Sequence, residues 1–169
     1  YIAHNAKVYG HVPLWALIRA MSFGNASRFL KLMKPEDRGE IAREYRINGR
    51  TLCNMTELAV GFRNIAAHGE RVYCARLPAV RLTENLPLFR RIQVPCFPDG
   101  KPRYGRCDFL SLMLVFKYLL PRNEFSAFLS RVEKEVDALK EKLPAFAMKR
   151  GYEQTGLSGA WRKLGAVSL

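Results

Sequence analysis

The segment from Phe62 to Tyr73 reads FRNIAAHGERVY, and it holds the residues best suited to chemistry. His68 is one of three histidines. The other two, His4 and His11, stand in a weakly patterned N-terminal stretch with no distinctive neighbours. An imidazole titrates near neutral pH and can take or give a proton. An arginine offers a rigid fork of donors that matches phosphate oxygens. Together Arg63 and His68 suit RNA cleavage that needs no metal. The ribose 2′-OH attacks the adjacent phosphorus, His68 assists proton transfer, and Arg63 stabilises charge on the phosphorane. Asn64, four residues before His68, shares its face on a regular helix and can fix the ring. Arg71 and Tyr73 follow closely enough to hold flanking phosphates. A surface arginine and a histidine capping a helix would explain the same letters.

Helical geometry decides whether these groups meet. Arg63 precedes His68 by five residues, which is about 140° round a helix of 3.6 residues per turn. The two converge only if the helix ends or bends near His68, or if a second copy of the helix packs against the first. Gly69 suits an ending. No second histidine or carboxylate stands at ligand spacing near His68, so no metal site is expected. Neither GxxxxGK nor GxGxxG occurs, so no phosphate-binding glycine loop and no cofactor are expected.

The elements that would position this segment are helices. Pro13 opens a first helix carrying Leu14, Leu17, Ile18 and Met21 at helical spacing. Gly24 is expected to stop it, with Asn25 capping a second helix that carries Phe29, Leu30 and Met33. Pro35, Glu36 and Asp37 start a third, which ends near Gly49. A fourth, from Arg50 to His68, has one apolar stripe: Leu52, Met55, Ala59, Phe62 and Ala66. Residues 71–106 then hold five prolines and no sustained period. Their part from Arg81 to Arg106 has six basic and two acidic residues. This reads as an irregular basic excursion, with short strands or turns around PDGKP, and its length implies function or disorder. Phe109 to Leu120 is apolar on nearly every side, as a central buried helix is. A long amphipathic helix from Asn123 to Leu143 follows. It has Phe125, Phe128, Leu129, Val132, Val136, Leu139 and Leu143 on one face and a solvated outer face of Glu133, Lys134, Glu135, Lys140, Glu141 and Lys142. The tail, residues 149–169, is basic and Gly-rich, with Trp161 as an anchor. The expectation is an all-α single domain over residues 1–169, with five or six helices in a bundle.

Charge sets the class of partner. The 169 residues carry 28 Lys and Arg against 15 Asp and Glu, a net charge of +13. Such an excess points to a polyanion, nucleic acid before an anionic membrane. Lys101, Arg103 and Arg106 in the excursion, and Arg76 before it, join Arg71 and Tyr73 as candidate RNA-binding residues. No apolar run is long enough to span a bilayer, and no signal peptide is visible. The basic residues do not line one amphipathic helix, so no membrane partner is expected and the cytoplasm is the expected location. Cys53, Cys74, Cys96 and Cys107 show no CxxC spacing, which argues for reduced thiols. The chain opens on Tyr rather than Met, and residues preceding it in the full protein are expected.

RNIAAH, Arg63 to His68, matches the R-x4-6-H motif of the HEPN superfamily. The chain more specifically resembles the Abi-like proteins of bacterial abortive infection, of the AbiD/AbiF type. PLWALIRAMSFGNASRFLKLM (Pro13 to Met33) is similar to their "P-x-W…S-F-G" helix pair. FRNIAAHGERVY is similar to their "RN-x-x-AH-x-x-R" core, and TGLSGAWRKL to their closing "MGFP-x-x-W" segment. The resemblance runs from about Tyr9 to Lys163. It implies an all-α HEPN bundle that pairs into a homodimer, with two Arg63/Asn64/His68 sets forming one cleft across the interface. It further implies a metal-independent endoribonuclease used in phage defence or as a toxin, under an RNA or protein antitoxin. The chain departs from the family's pattern at Ala66, where Cys is frequent, at Gly69-Glu70, and at Leu157-Ser158, where Phe-Pro is usual. Glu70 would repel phosphate unless an arginine pairs with it. A second function fits the same letters: a HEPN module that holds a regulatory RNA without cutting it.

Overall fold

The computed structural model describes residues 2–157 and 161–169. Among them run nine α-helices: α1 (Ile2–Tyr9), α2 (Leu14–Ala20), α3 (Phe23–Leu32), α4 (Pro35–Glu44), α5 (Gly49–Ala67), α6 (Pro87–Arg91), α7 (Phe109–Leu119), α8 (Arg122–Lys142) and α9 (Ala145–Thr155). Two 3₁₀ turns, Val72–Cys74 and Trp161–Gly165, complete the helical elements. No strand forms among the described residues. The turn at PDGKP is closed by a single β-bridge between Cys96 and Pro102, with Gly100 at φ +80°.

Side-chain caps fix where the helices begin. The Ser22 hydroxyl accepts the Asn25 N–H at 3.1 Å, so α3 starts at Phe23. The expected stop at Gly24 and cap at Asn25 are therefore corrected: the serine oxygen sits one turn earlier and reaches an orphan donor first. Gly24 lies inside α3, and a Cβ there would be 3.8 Å from Val60. Asn48 caps α5 by accepting the Thr51 N–H at 2.8 Å. Asp108 caps α7 by accepting the Ser111 N–H at 3.1 Å.

The core gathers around α5 and α7. Met55, Leu58 and Phe62 of α5 meet Leu110, Met113, Leu114 and Val115 of α7, and Phe125 and Leu129 of α8 close one side. The excursion is no detached loop. Its Leu82, Leu86, Leu88, Phe89, Ile92 and Val94 are all buried in this same cluster. Fully burying such side chains stabilises by about 1.5–3 kcal/mol each, enough to order an irregular path. Its charges stay outside while α6 and the apolar residues tie it down. In the tail, Trp161 and Leu164 are buried. Arg162 lies 4.8 Å over the Trp161 ring and pairs with Asp137 at 2.6 Å.

Three elements escape sequence periodicity. α6 is a short helix within the excursion. α1 has a weak pattern, and α9 falls in what composition marks as an irregular tail. The count of five or six helices is corrected accordingly. The first three helices leave much apolar surface in solvent. Tyr9, Leu14, Trp15, Ile18, Phe23, Phe29 and Leu32 are all exposed, Leu32 at 85%.

Candidate functional site

α5 is buried through its first three turns and emerges at its C-terminal end. Arg63, Asn64, Ala66, Ala67 and His68 are all exposed there. The end is sharply defined. Gly69, at φ +71°, donates its N–H to the Ala66 carbonyl at 3.1 Å, and Glu70 reaches back to the Ile65 carbonyl at 3.1 Å. This is a Schellman closure, which needs a left-handed residue directly after the C-cap. His68 is that C-cap, and its own N–H donates to the Asn64 carbonyl at 3.0 Å.

The consequence is that α5 stays helical up to His68, and the expected divergence of Arg63 from His68 persists. The Arg63 guanidinium donates to the Asn64 side-chain oxygen at 3.3 Å. Among the described residues it makes no hydrogen bond to His68. One chain thus presents an exposed guanidinium and an exposed imidazole at one helix end, with no hydrogen bond between them among the described residues. Glu70 is exposed and, among the described residues, takes part in no ion pair.

α3 lies along α5 and continues this end into the apolar N-terminal face. The Ser27 hydroxyl donates to Thr56 at 3.2 Å, and Lys31 pairs with Glu57 at 2.9 Å. The spacing of these contacts, with Gly24 near Val60, runs α3 antiparallel to α5. Phe23 therefore sits toward the Arg63 end, with 45% of its surface exposed.

The candidate RNA-binding residues divide into two groups. Arg71 and Tyr73 are exposed at the 3₁₀ turn just beyond α5. Arg103 is exposed on the PDGKP turn, with its guanidinium 5.3 Å over Phe97. The other three are held by the protein. Arg76 donates to the Glu153 carbonyl at 3.2 Å and stands 4.0 Å from Asp108. Lys101 pairs with Asp99 at 3.0 Å. Arg106 pairs with Glu84 at 2.8 Å and donates to the Leu82 carbonyl.

Asp108 anchors this region. It is 1% exposed and accepts from the N–H of Gly105 (2.9 Å) as well as from Ser111. Burial pushes its carboxyl above the usual aspartate range, opposed by those backbone donors and by Arg76. The residues composition places on a solvated face and in the tail include two that line a groove. Lys140 and Lys149 meet Arg103, Tyr104 and Tyr152 where α8, α9 and the PDGKP turn converge. Only the packing of α9 against the end of α8 reveals this. The basic tail beside an apolar Leu143 is the nearest signal in the sequence.

Among the described residues, no group of three His, Cys, Asp or Glu is placed to hold a metal ion. No helix among them is long and apolar enough to cross a membrane. All four cysteines are free.

Residues 1–74 match the Abi-like protein family. The matched stretch takes in α1 to α5 and the following 3₁₀ turn, and so contains Arg63, Asn64 and His68. The similarity seen in TGLSGAWRKL lies beyond it, and Ser158 of that segment is outside the described residues. No curated protein and no solved structure matches the chain.

Proposed function

We propose that this chain, Abi-like over residues 1–74, is a metal-independent endoribonuclease of the HEPN superfamily that acts in the cytoplasm, in abortive infection or as a toxin. The observation that carries the reading is the α5 exit. A helix otherwise sunk in the core ends in exposed Arg63, Asn64 and His68, beside small residues that allow another chain to approach.

A second copy answers the divergence within one chain. Two α5 ends meeting across a two-fold axis bring Arg63 of one to His68 of the other. The apolar face of α1 to α3 runs up to this end at Phe23, and burying it supports such a pairing. In the composite cleft the RNA 2′-OH loses its proton as its oxygen attacks the adjacent phosphorus. The P–O5′ bond breaks, and the leaving oxygen is protonated. The products are a 2′,3′-cyclic phosphate and a 5′-OH. His68 moves the proton, Arg63 holds the phosphorane charge, and Asn64 orients the groups.

The test is cleavage of a mixed RNA pool in EDTA, with wild type against His68→Ala. Cutting by the wild type, with cyclic phosphate ends, is expected. The substitution lowers it by about 10²–10⁴-fold, the usual contribution of a general acid or base. RNA binding by both proteins with cutting by neither would overturn cleavage. It would leave a module that holds a regulatory RNA.

A further inference from the structure

A cationic groove lies away from the α5 end. It has a volume of about 770 Å³ and sits where the end of α8, α9 and the PDGKP turn converge. Arg103, Lys140 and Lys149 line it, and all three are exposed. Among the described residues none of the three takes part in an ion pair. That contrasts with Arg76, Lys101 and Arg106, whose charges face carboxylates of the chain. One acidic residue, Glu153, shares the groove. Tyr104 and Tyr152 also line it, over an apolar floor.

Three like charges repel one another, and the fold nonetheless gathers them beside a single carboxylate, Glu153. Arg103 is set there by the turn, where its N–H donates to the Pro95 carbonyl at 2.9 Å. Lys140 and Lys149 come together because Leu143 and Pro144 turn the chain from α8 into α9. Fixed cations beside aromatic rings suit a flexible polyanion that offers planar groups at intervals. That is the chemistry of a single-stranded nucleic acid. A duplex would present its phosphates but not its base faces.

The groove is joined to the α5 end. The 3₁₀ turn Val72–Cys74 packs on both α5 and α9, and Arg76 is bonded to the Glu153 backbone. Exposed Arg71 and half-exposed Tyr73 stand on the way between them. We infer that the α8–α9 groove, through Arg103, Lys140 and Lys149, holds the single-stranded flank of an RNA whose scissile phosphate lies at the α5 end. The choice of RNA rests on the proposed function. The groove itself rests on the convergence of unpaired cations and tyrosines. It acts in positioning: it binds the strand, and the α5 end cuts it.

The experiment measures binding of a short single-stranded RNA, fully 2′-O-methylated so that it cannot be cut, by fluorescence anisotropy across a salt series. Wild type is compared with Lys140→Gln/Lys149→Gln and with the control Lys134→Gln/Lys142→Gln, which removes the same charge from α8 outside the groove. Each phosphate contact on a single strand contributes about 0.7 to the salt slope. Loss of two contacts lowers the slope by about 1.4 and the affinity at 0.1 M salt by about 25-fold. The control stays within about twofold of wild type. Equal weakening in the groove variant and the control would overturn the groove, leaving only diffuse attraction. An unchanged groove variant would overturn it too. If the wild type still cuts RNA in either case, the nuclease reading stands without the groove. Failure of the wild type to bind any RNA overturns both.

Discussion

Gly156→Ala tests how the second half of the chain holds the region behind the α5 end. Gly156 caps α9 at φ +77°. A Cβ there would stand 2.7 Å from Oδ2, 2.8 Å from Cγ and 3.0 Å from Oδ1 of Asp108. That carboxylate cannot swing away freely. It is 1% exposed, and its oxygens accept the Gly105 and Ser111 N–H groups at 2.9 and 3.1 Å. Two costs add. A left-handed conformation costs an L-residue about 1 kcal/mol relative to glycine. Displacing the carboxylate weakens at least one charged hydrogen bond, worth about 1.5–3 kcal/mol. The expected loss is about 2–4 kcal/mol. With a urea slope of about 2 kcal/mol/M, the unfolding midpoint falls by about 1–2 M. The two terms are separable. In an Asp108→Ala background the clash disappears, and Gly156→Ala costs only the conformational part, about 1 kcal/mol. A full 2–4 kcal/mol loss in that background would refute the assigned contact. So would a loss under about 1 kcal/mol in the wild type.

The same aspartate predicts a pH dependence. Burial raises the Asp108 carboxyl, so the folded state favours its protonated form. Its contribution is fully present below the unfolded-state value and is lost as pH rises through the higher folded one. The stability of wild type relative to Asp108→Asn should therefore increase as pH falls toward 4 in paired unfolding curves; a flat difference would sink the assignment. Trp161→Ala removes a buried indole and should cost about 3–5 kcal/mol. By calorimetry that is a midpoint lowered on the order of 10 °C, and an unchanged midpoint would show that the tail is not anchored there.

Long, strongly patterned helices were legible before any coordinates. The stripe from Leu52 to Ala66 and the nearly all-apolar run at Phe109 placed α5 and α7 to within a residue or two. Ends set by side-chain caps were less legible. Ser22, Gly24 and Asn25 all carry capping letters, and only the geometry shows which oxygen reaches the donor. The excursion hid its core role because its apolar residues follow no period. Leu82, Leu86, Leu88, Phe89, Ile92 and Val94 are buried by tertiary position, not by a helical face. For the site, the sequence named the end of α5 and its 140° problem. Gly69 does terminate the helix, in a Schellman closure that leaves His68 as the C-cap, and among the described residues no hydrogen bond joins His68 to Arg63.

Charge counting does not say which cations are held by the chain itself. A net charge of +13 says that unpaired cations exist but not which ones. Arg76, Lys101 and Arg106 looked as free in sequence as Arg103 did, and all three face carboxylates of the chain. Their charge is largely neutralised locally, and a partner would have to compete with an existing ion pair to use it. Lys140 and Lys149 looked like ordinary solvated lysines; they line a groove and, among the described residues, take part in no ion pair. A phosphate contact gains most where the cation has no prior partner, since no internal bond must be broken and counter-ions are released. The available charge therefore runs from Arg71, past Tyr73, to the α8–α9 groove. It begins at the one helix end that carries an exposed arginine and an exposed histidine together. The proposed cleavage and the proposed binding are thus separable by substitution: His68 for the first, Lys140 with Lys149 for the second.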